Sequence, residues 1–110
     1  MGIDVQLRRS LRLRDSGEEE LVAEVGDGAA VFAHLLMRAQ GGGKTPILDR
    51  AYPYSDMIVV AADFPGLLGE LAELRGLTTG ADELGFIQRL EELTDRGLQQ
   101  DGLELHFLGD

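Results

Sequence analysis

The alternation of apolar and polar residues predicts a β-hairpin at the start of the chain. Over residues 3–13 every odd position except Arg9 is apolar and every even position is polar, which is the pattern of a strand with one buried face. After the turn sequence DSGEE, residues 21–25 place the apolar Leu21, Ala23 and Val25 on one parity. A register centred on Gly17 matches the two apolar faces, and it pairs Leu13 with Leu21, Leu11 with Ala23, Ser10 with Glu24 and Arg14 with Glu20. Eleven extended residues span about 36 Å, so we expect a bend or break near Arg9–Ser10.

Three later segments have the spacing of amphipathic helices. The first is predicted over residues 28–40 with Asp27 as its N-cap. The second runs from Asp63 to about Leu74 with Pro65 in its first turn, and the third follows Thr79 and ends at Gly97. Their inward-facing residues are Val31, Phe32, Leu35, Leu36 and Ala39, then Leu67, Leu68, Leu71 and Leu74, then Leu84, Ile87, Leu90 and Leu93.

Two further strands complete the predicted fold. The continuous apolar run over residues 57–61 indicates a strand covered on both faces, which belongs in the centre of a sheet. Near the C-terminus, Leu103, Leu105 and Phe107 alternate with polar residues and indicate a strand with one buried face. The order ββαβααβ predicts a single α+β domain over residues 1–110, with three helices packed on one face of a mainly antiparallel sheet.

Composition narrows the class of partner. Twenty Asp and Glu against ten Lys and Arg give a formal net charge of −10 at pH 7. This charge disfavours nucleic acid and anionic membrane as partners and favours a basic or neutral protein. The chain has no cysteine, which excludes disulfides and thiolate chemistry. With no apolar run of about 20 residues and no signal peptide, we expect a cytoplasmic protein, and the preference for Arg over Lys is typical of a GC-rich bacterial genome.

The sequence GGGKT resembles the end of a phosphate-binding loop but lacks the context of one. Such a loop has a glycine five residues before its Gly-Lys-Thr end, follows a buried strand and opens a helix. In this chain Arg38 takes the place of that glycine, a predicted helix precedes the motif, and Pro46 follows it. We therefore predict no nucleotide binding at Lys44, and instead a helix C-cap at Gly41 that leads into a turn.

The remaining charged clusters have structural interpretations. The hairpin carries four arginines: Arg8, Arg9, Arg12 and Arg14. Because the predicted register sets glutamates opposite this stretch, we predict ion pairs between the strands rather than a nucleic-acid site. His34 and His106 lack a second ligand at a metal-binding spacing, and no nucleophile and base pair is evident. No catalytic residue, cofactor or metal is predicted.

The longest irregular stretch, residues 41–56, is the candidate binding segment. Structureless connections longer than about 12–15 residues are usually functional or mobile, and Tyr and Arg supply much of the binding energy at protein interfaces. The predicted partner-binding residues are Lys44, Arg50, Tyr52, Tyr54 and Asp56. In the alternative interpretation, Ile47, Leu48 and Tyr52 fold back onto the core, and the rest of the segment is an edge strand with a turn.

Three stretches carry a resemblance to known proteins: PILDRAYPYSDMIVV, the helix sequence FPGLLGELAEL and the terminal LHFLGD. Together they resemble a loose group of small, acidic, uncharacterised bacterial proteins. Here AYPYSD stands where that group usually has an acidic residue followed by proline. Small acidic domains of this kind include immunity-type proteins that neutralise basic toxins. The resemblance implies a binding module and no catalytic residue.

Three hypotheses for function follow. The first is a non-enzymatic protein-interaction domain that binds a basic or neutral protein. The second is a small-molecule-binding domain or enzyme with a pocket beside residues 41–56. The third is a self-associating structural protein, in which the first strand pairs with its own copy across an exposed edge.

Overall fold

The computed structural model of the chain describes residues 2–10, 19–40, 42–51 and 55–109. Its elements are β1 (Asp4–Ser10), β2 (Glu19–Val25), α1 (Val31–Ala39), β3 (Met57–Val60), α2 (Phe64–Arg75), α3 (Ala81–Leu98) and β4 (Leu103–Leu108). Two 3-10 turns, Leu48–Arg50 and Ala61–Asp63, precede β3 and α2. The predicted order ββαβααβ and the α+β class are confirmed. Within the described ranges, none of the helices has the length and apolar character that a membrane crossing requires.

The four strands form one antiparallel sheet in the order β2-β1-β4-β3. The prediction that residues 57–61 form a central strand is wrong, because β3 lies at the edge and pairs with β4. Val59 is buried and Met57 packs partly buried against the core, whereas Ile58 and Val60 are each 47% exposed. A short apolar run can therefore arise without burial on both faces.

The core lies between the helices and one face of the sheet. Phe32 of α1 stacks on Phe86 of α3 with ring centroids 4.7 Å apart and lies 6.2 Å from Phe107 of β4. This cluster joins two helices to a central strand. The buried strand residues that face the helices are Val5, Leu7, Val25, Val59, Leu103, Leu105 and Phe107. They alternate with residues that point away from the helices, as a one-sided layer requires.

The hairpin register differs from the predicted one. Glu24 lies opposite Gln6 rather than Ser10, and Glu20 lies opposite Arg9 rather than Arg14. The observed register is displaced by four residues over the first part of the hairpin. An even displacement leaves every side chain on its own face, so alternation alone cannot distinguish the two registers. Residues 11–18, with their predicted pairs, lie outside the described residues, so the break expected near Arg9–Ser10 stays a prediction.

A β-bulge in β2 changes the direction of one apolar side chain. The register shifts between Leu7, which faces Ala23, and Arg8, which faces Leu21. Val22 is therefore the extra residue of the bulge. Alternation alone places Leu21 on the core face with Ala23, but the bulge turns it to the opposite face, where it is 54% exposed.

The helix α1 begins at Val31, three residues later than predicted. A turn separates Asp27 from the helix, and Ala30 within it has a left-handed φ of 57°. The Asp27 carboxylate nevertheless accepts hydrogen bonds from the N–H groups of Phe32 at 3.0 Å and Ala33 at 3.1 Å. The prediction that Asp27 is the N-cap is wrong, because Ala30 occupies that position, but the Asp27 carboxylate still binds two N–H groups of the first turn.

An ion pair joins the end of α1 to the start of α3. The Arg38 guanidinium donates to both carboxylate oxygens of Glu83, at 2.6 and 2.9 Å. These bonds, with a further one from the Thr79 N–H, lower the pKa of Glu83 from 4.5 to about 2. Because this pKa is depressed on folding, the pair stabilises the fold above about pH 4.5, and that stabilisation is lost as the pH falls towards 2. Both side chains are partly exposed, so the contribution is small.

Candidate functional site

The backbone of residues 45–51 is fixed to the core by two side chains. The Glu70 carboxylate of α2, itself 6% exposed, accepts hydrogen bonds from the N–H groups of Ile47 at 3.0 Å and Leu48 at 2.9 Å. The Gln40 side-chain amide donates to the Ala51 carbonyl at 2.8 Å. Leu48 and Ala51 are fully buried. The interpretation that Ile47 and Leu48 fold back onto the core is confirmed, whereas Tyr52 lies outside the described residues.

The position of Glu70 explains why its hydrogen bonds to Ile47 and Leu48 are not predicted from the sequence. Glu70 lies on the same side of α2 as the buried residues Leu67, Leu71 and Leu74. A glutamate on an apolar helix stripe is costly to bury unless its oxygens are hydrogen-bonded. The sequence does indicate a buried, hydrogen-bonded glutamate, because Glu70 lies at a core position of α2. It does not indicate which N–H groups the carboxylate binds.

Three charged side chains of the segment point outward from this fixed backbone. Lys44, Arg50 and Asp56 are exposed. Within the described part of the chain, neither Lys44 nor Arg50 forms an ion pair. Asp56, just before β3, accepts a hydrogen bond from the Gly109 N–H at 3.2 Å. The other two predicted binding residues, Tyr52 and Tyr54, lie outside the described residues, so their part in this surface stays a prediction.

The GGGKT stretch does not have the architecture of a phosphate-binding loop. Gly43 adopts a left-handed φ of 76°, and Thr45 is buried with its hydroxyl donating to Asp49 at 3.0 Å. A 3-10 turn of three residues follows in place of an α-helix. The N–H groups of Ile47 and Leu48, at the start of that turn, already bind the Glu70 carboxylate. The geometry agrees with the prediction against nucleotide binding, while the predicted C-cap, Gly41, lies outside the described residues.

We expect Glu70→Gln to lower the free energy of unfolding by about 1–2 kcal/mol, because the amide replaces one acceptor by a donor facing a buried N–H. Glu73 lies in the same helix but is exposed, so Glu73→Gln should change stability by less than about 0.5 kcal/mol. Urea unfolding of both variants measures the difference, and hydrogen exchange at Leu48 reports local release of the segment. Equal midpoints for the two variants would contradict the anchoring role of Glu70.

The side of the sheet away from the helices forms a second candidate surface, which we call the open face. Two rows of side chains cross all four strands in the order β2, β1, β4 and β3. The open face consists of the rows Glu24, Gln6, His106 and Ile58, and Leu21, Arg8, Glu104 and Val60. Polar residues occupy its central strands, and apolar residues with Glu24 occupy its edges.

Hydrogen bonds connect the polar residues of the open face. Arg8 donates through Nε to the side-chain oxygen Oε1 of Gln6 at 2.7 Å, and the side-chain amide of Gln6 donates to Glu24. His106 is buried, and its Nε2 lies 3.4 Å from Glu104 Oε1. Among the described residues no three His, Asp or Glu side chains are grouped so as to hold a metal ion. Arg8 lies opposite Glu104 of β4, and the ion pairs predicted between the two strands of the hairpin stay a prediction.

Four open grooves lined by described residues lie away from the candidate segment. The first is between His34 and the start of α3, and the second, of about 630 Å³, is between α2 and α3. The third adjoins the turn at Asp27, and the fourth lies between β2 and α3. None of these four grooves is lined by Lys44, Arg50 or Asp56. They do not provide the pocket that the small-molecule hypothesis places beside residues 41–56.

Comparison with protein-family models, curated proteins and solved structures finds no significant match to this chain. The resemblance to small acidic bacterial immunity-type proteins therefore stays a prediction. Function has to be inferred from the two surfaces described above. One is the anchored segment with Lys44, Arg50 and Asp56 exposed, and the other is the open face of the sheet.

Proposed function

We propose that this chain is a non-enzymatic protein-interaction domain that binds a basic or neutral protein and thereby neutralises or regulates it. The observation that carries the proposal is the anchored segment. Its backbone is fixed by Glu70 and Gln40, while Lys44 and Arg50 remain exposed without a carboxylate partner among the described residues. A cytoplasmic location is part of the same proposal.

A fixed backbone favours binding because less conformational entropy is lost when the partner docks. Lys44 and Arg50 can donate hydrogen bonds to carbonyl or carboxylate groups of the partner. Tyr52 and Tyr54 supply the aromatic anchors that interfaces require. The net charge of −10 attracts a basic protein at distances where these contacts cannot yet form, and this attraction raises the association rate.

The alternative functions have less support. Over the described residues of the first strand no edge is free for self-association, because β1 is paired on one side with β2 and on the other with β4. The sheet edge at β2 carries Glu20 and Glu24 and a bulge, features that oppose pairing with a second copy. A pocket-based function has no cavity beside the candidate segment among the four grooves described above.

The proposal is tested by isolating the protein that binds the tagged chain in its host and reconstituting the complex from purified components. We expect the Tyr52→Ala, Tyr54→Ala double variant to weaken the complex at least tenfold. We expect the separate Lys44→Ala, Arg50→Ala double variant to lower the affinity as well. The thermal transition of the free chain should hardly change. Calorimetric titration measures the affinities, and Gln88→Ala, Gln99→Ala is the control on exposed residues of another surface.

Two results would contradict the proposal. One is a reconstituted complex whose affinity is the same for the wild type and both double variants. The other is a loss of about 3–5 kcal/mol of stability in the tyrosine variant, which is the range for removing buried large aromatic side chains. That result would mean the tyrosines belong to the core.

A further inference from the structure

The outer edge of β3 carries backbone groups that no strand pairs with. β3 pairs with β4 alone, and in the same register the Gly109 N–H donates to the Ser55 carbonyl at 3.2 Å. Because bonding alternates along an antiparallel pair, the odd-numbered residues of this strand bond to β4. The Asp56 C=O, both backbone groups of Ile58 and the Val60 N–H therefore point out of the sheet. Among the described residues, none hydrogen-bonds to these outward groups.

The two edges of the sheet differ in their protection against a further strand. The β2 edge carries Glu19, Glu20 and Glu24 and is interrupted by the bulge, and charges and bulges prevent strand addition. β3 has the sequence MIVV and a continuous register with β4, and its Ile58 and Val60 are exposed. It contains no charge, proline or bulge, so over these residues its edge is open to a further strand.

The β3 edge is complementary to a second copy of itself. In an antiparallel pair with a twofold axis at Ile58, Ile58 lies opposite Ile58 of the second copy, and Asp56 lies opposite its Val60. The Ile58 N–H then donates to the Ile58 C=O, and the Val60 N–H donates to the Asp56 C=O, each bond occurring twice by symmetry. Displacing the register by two residues sets one of these residues opposite a position outside 55–60. The symmetric register therefore uses all the outward groups.

The side chains are compatible with this register. Asp56 is the only charged residue among 55–60, and it lies opposite Val60 rather than opposite its own copy. The two Asp56 residues are four positions apart along the paired strands, about 13 Å, and this exceeds the screening length of about 10 Å at 0.1 M salt. Ile58, which is 47% exposed in the single chain, contacts its own copy at the axis, and this contact removes apolar surface from water.

We propose that this chain forms a symmetric dimer in which β3 pairs antiparallel with β3 of a second copy, so that the two four-stranded sheets become one. The contact is at β3 and not at the first strand, which is paired on both sides. Assembly stops at two copies, because the outer edges of the joined sheet are the protected β2 edges. The inference goes beyond the proposed function and does not depend on it, since the purified chain alone tests it.

Sedimentation equilibrium of the purified chain measures its mass against concentration. We expect the mass to rise from the 11.9 kDa of one chain towards that of two. Because the interface is small, the dimer should dissociate on dilution. Added salt should strengthen it, because salt screens the repulsion between two chains of net charge −10.

Lysine substitutions at the two edges locate the contact. Ile58→Lys sets two lysines opposite each other at the axis and should weaken the dimer at least about tenfold. The matched control is Leu21→Lys, which makes the same change in charge at an exposed apolar position of the β2 edge. It should change the dissociation constant by about twofold at most.

A single cysteine gives a second test that does not rely on a disruptive variant, because the chain has no cysteine of its own. Residues opposite each other in a hydrogen-bonded pair have Cα atoms about 5.5 Å apart, which is within the range for a disulfide. Under the same mild oxidation, we expect Ile58→Cys to form a disulfide-linked dimer at least about tenfold faster than Leu21→Cys.

A mass that stays at one chain up to millimolar concentration would overturn the inference. Equal weakening by the two lysine variants, or equal rates of disulfide formation in the two cysteine variants, would overturn it as well, since the contact would then lie elsewhere. If the chain is monomeric and its β3 amide NMR signals shift only when the native partner is added, the edge belongs to a segment of that partner and not to a second copy.

Discussion

Replacing Asp27 by alanine should lower the free energy of unfolding by about 3–5 kcal/mol, because three buried backbone N–H groups lose their acceptor at once. The Asp27 carboxylate accepts from Ile3 at 3.0 Å as well as from Phe32 and Ala33, and its own N–H donates to the Asp4 carboxylate at 2.7 Å. It is 4% exposed, so water cannot readily replace it. These bonds also hold the left-handed Ala30, a conformation that costs about 1 kcal/mol.

Two variants provide the comparison for this prediction. Asp27→Asn keeps one acceptor oxygen and should lose about half as much, since its amide group faces a backbone N–H instead of accepting from it. Asp82→Ala removes an exposed aspartate from the first turn of α3 and should cost less than about 1 kcal/mol. Urea unfolding with an unchanged m-value measures all three. A loss in Asp27→Ala no larger than in Asp82→Ala would show that the buried bonds contribute little.

Helix and strand positions could be predicted from the sequence because they follow from local periodicity. The order of the strands could not, because it depends on contacts between distant segments. The apolar run of β3 reads as a central strand, yet β4 from the end of the chain pairs between β1 and β3. Exposed Ile58 and Val60 have the same apolar character as buried Val59, so sequence pattern cannot assign their face. The bulge that turns Leu21 outward has no glycine or proline to mark it.

In the candidate segment, too, features that depend on residue type could be predicted, whereas contacts with a distant residue could not. The exposure of Lys44 and Arg50 agrees with what their charges predict. The anchoring of their backbone depends on Glu70, 22 positions along the chain from Leu48. The partner atoms are backbone N–H groups, which every residue except proline carries. Nothing in the side chains of residues 45–51 therefore identifies the glutamate that holds them.

Asp27 and Glu70 stabilise two different segments by one mechanism. Each is a buried carboxylate whose oxygens accept backbone N–H groups, of Phe32 and Ala33 in one case and of Ile47 and Leu48 in the other. Such turns otherwise present their N–H groups to phosphate or other anions. Because an internal carboxylate already occupies both positions, these turns are structural supports, and the proposed binding relies on the exposed side chains around them.

Replacing Gly97 by alanine should lower the free energy of unfolding by about 1–3 kcal/mol, the range for overpacking a core. An added Cβ would lie 2.6 Å from Cε2 of Phe64 and 3.2 Å from Cδ1 of Leu7. Both neighbours are fully buried, so neither can move without displacing other core residues. The sequence indicates Gly97 as the end of the third helix, but α3 continues to Leu98. Gly97 is required instead for the close approach of α3 to Phe64 at the start of α2.

Gly85 is the matched control because it lies in the same helix and a Cβ there would meet no atom within 4 Å. Gly85→Ala should therefore raise stability by about 0.5–1 kcal/mol, the ordinary gain from replacing glycine within a helix. The same chemical change thus has opposite signs at two positions of α3. Urea unfolding of the two variants measures the difference, expected at about 1.5–4 kcal/mol from these two ranges. An equal rise in the free energy of unfolding at both positions would show that Phe64 and Leu7 can move to accommodate the Cβ. The contact at Gly97 would then not constrain the fold.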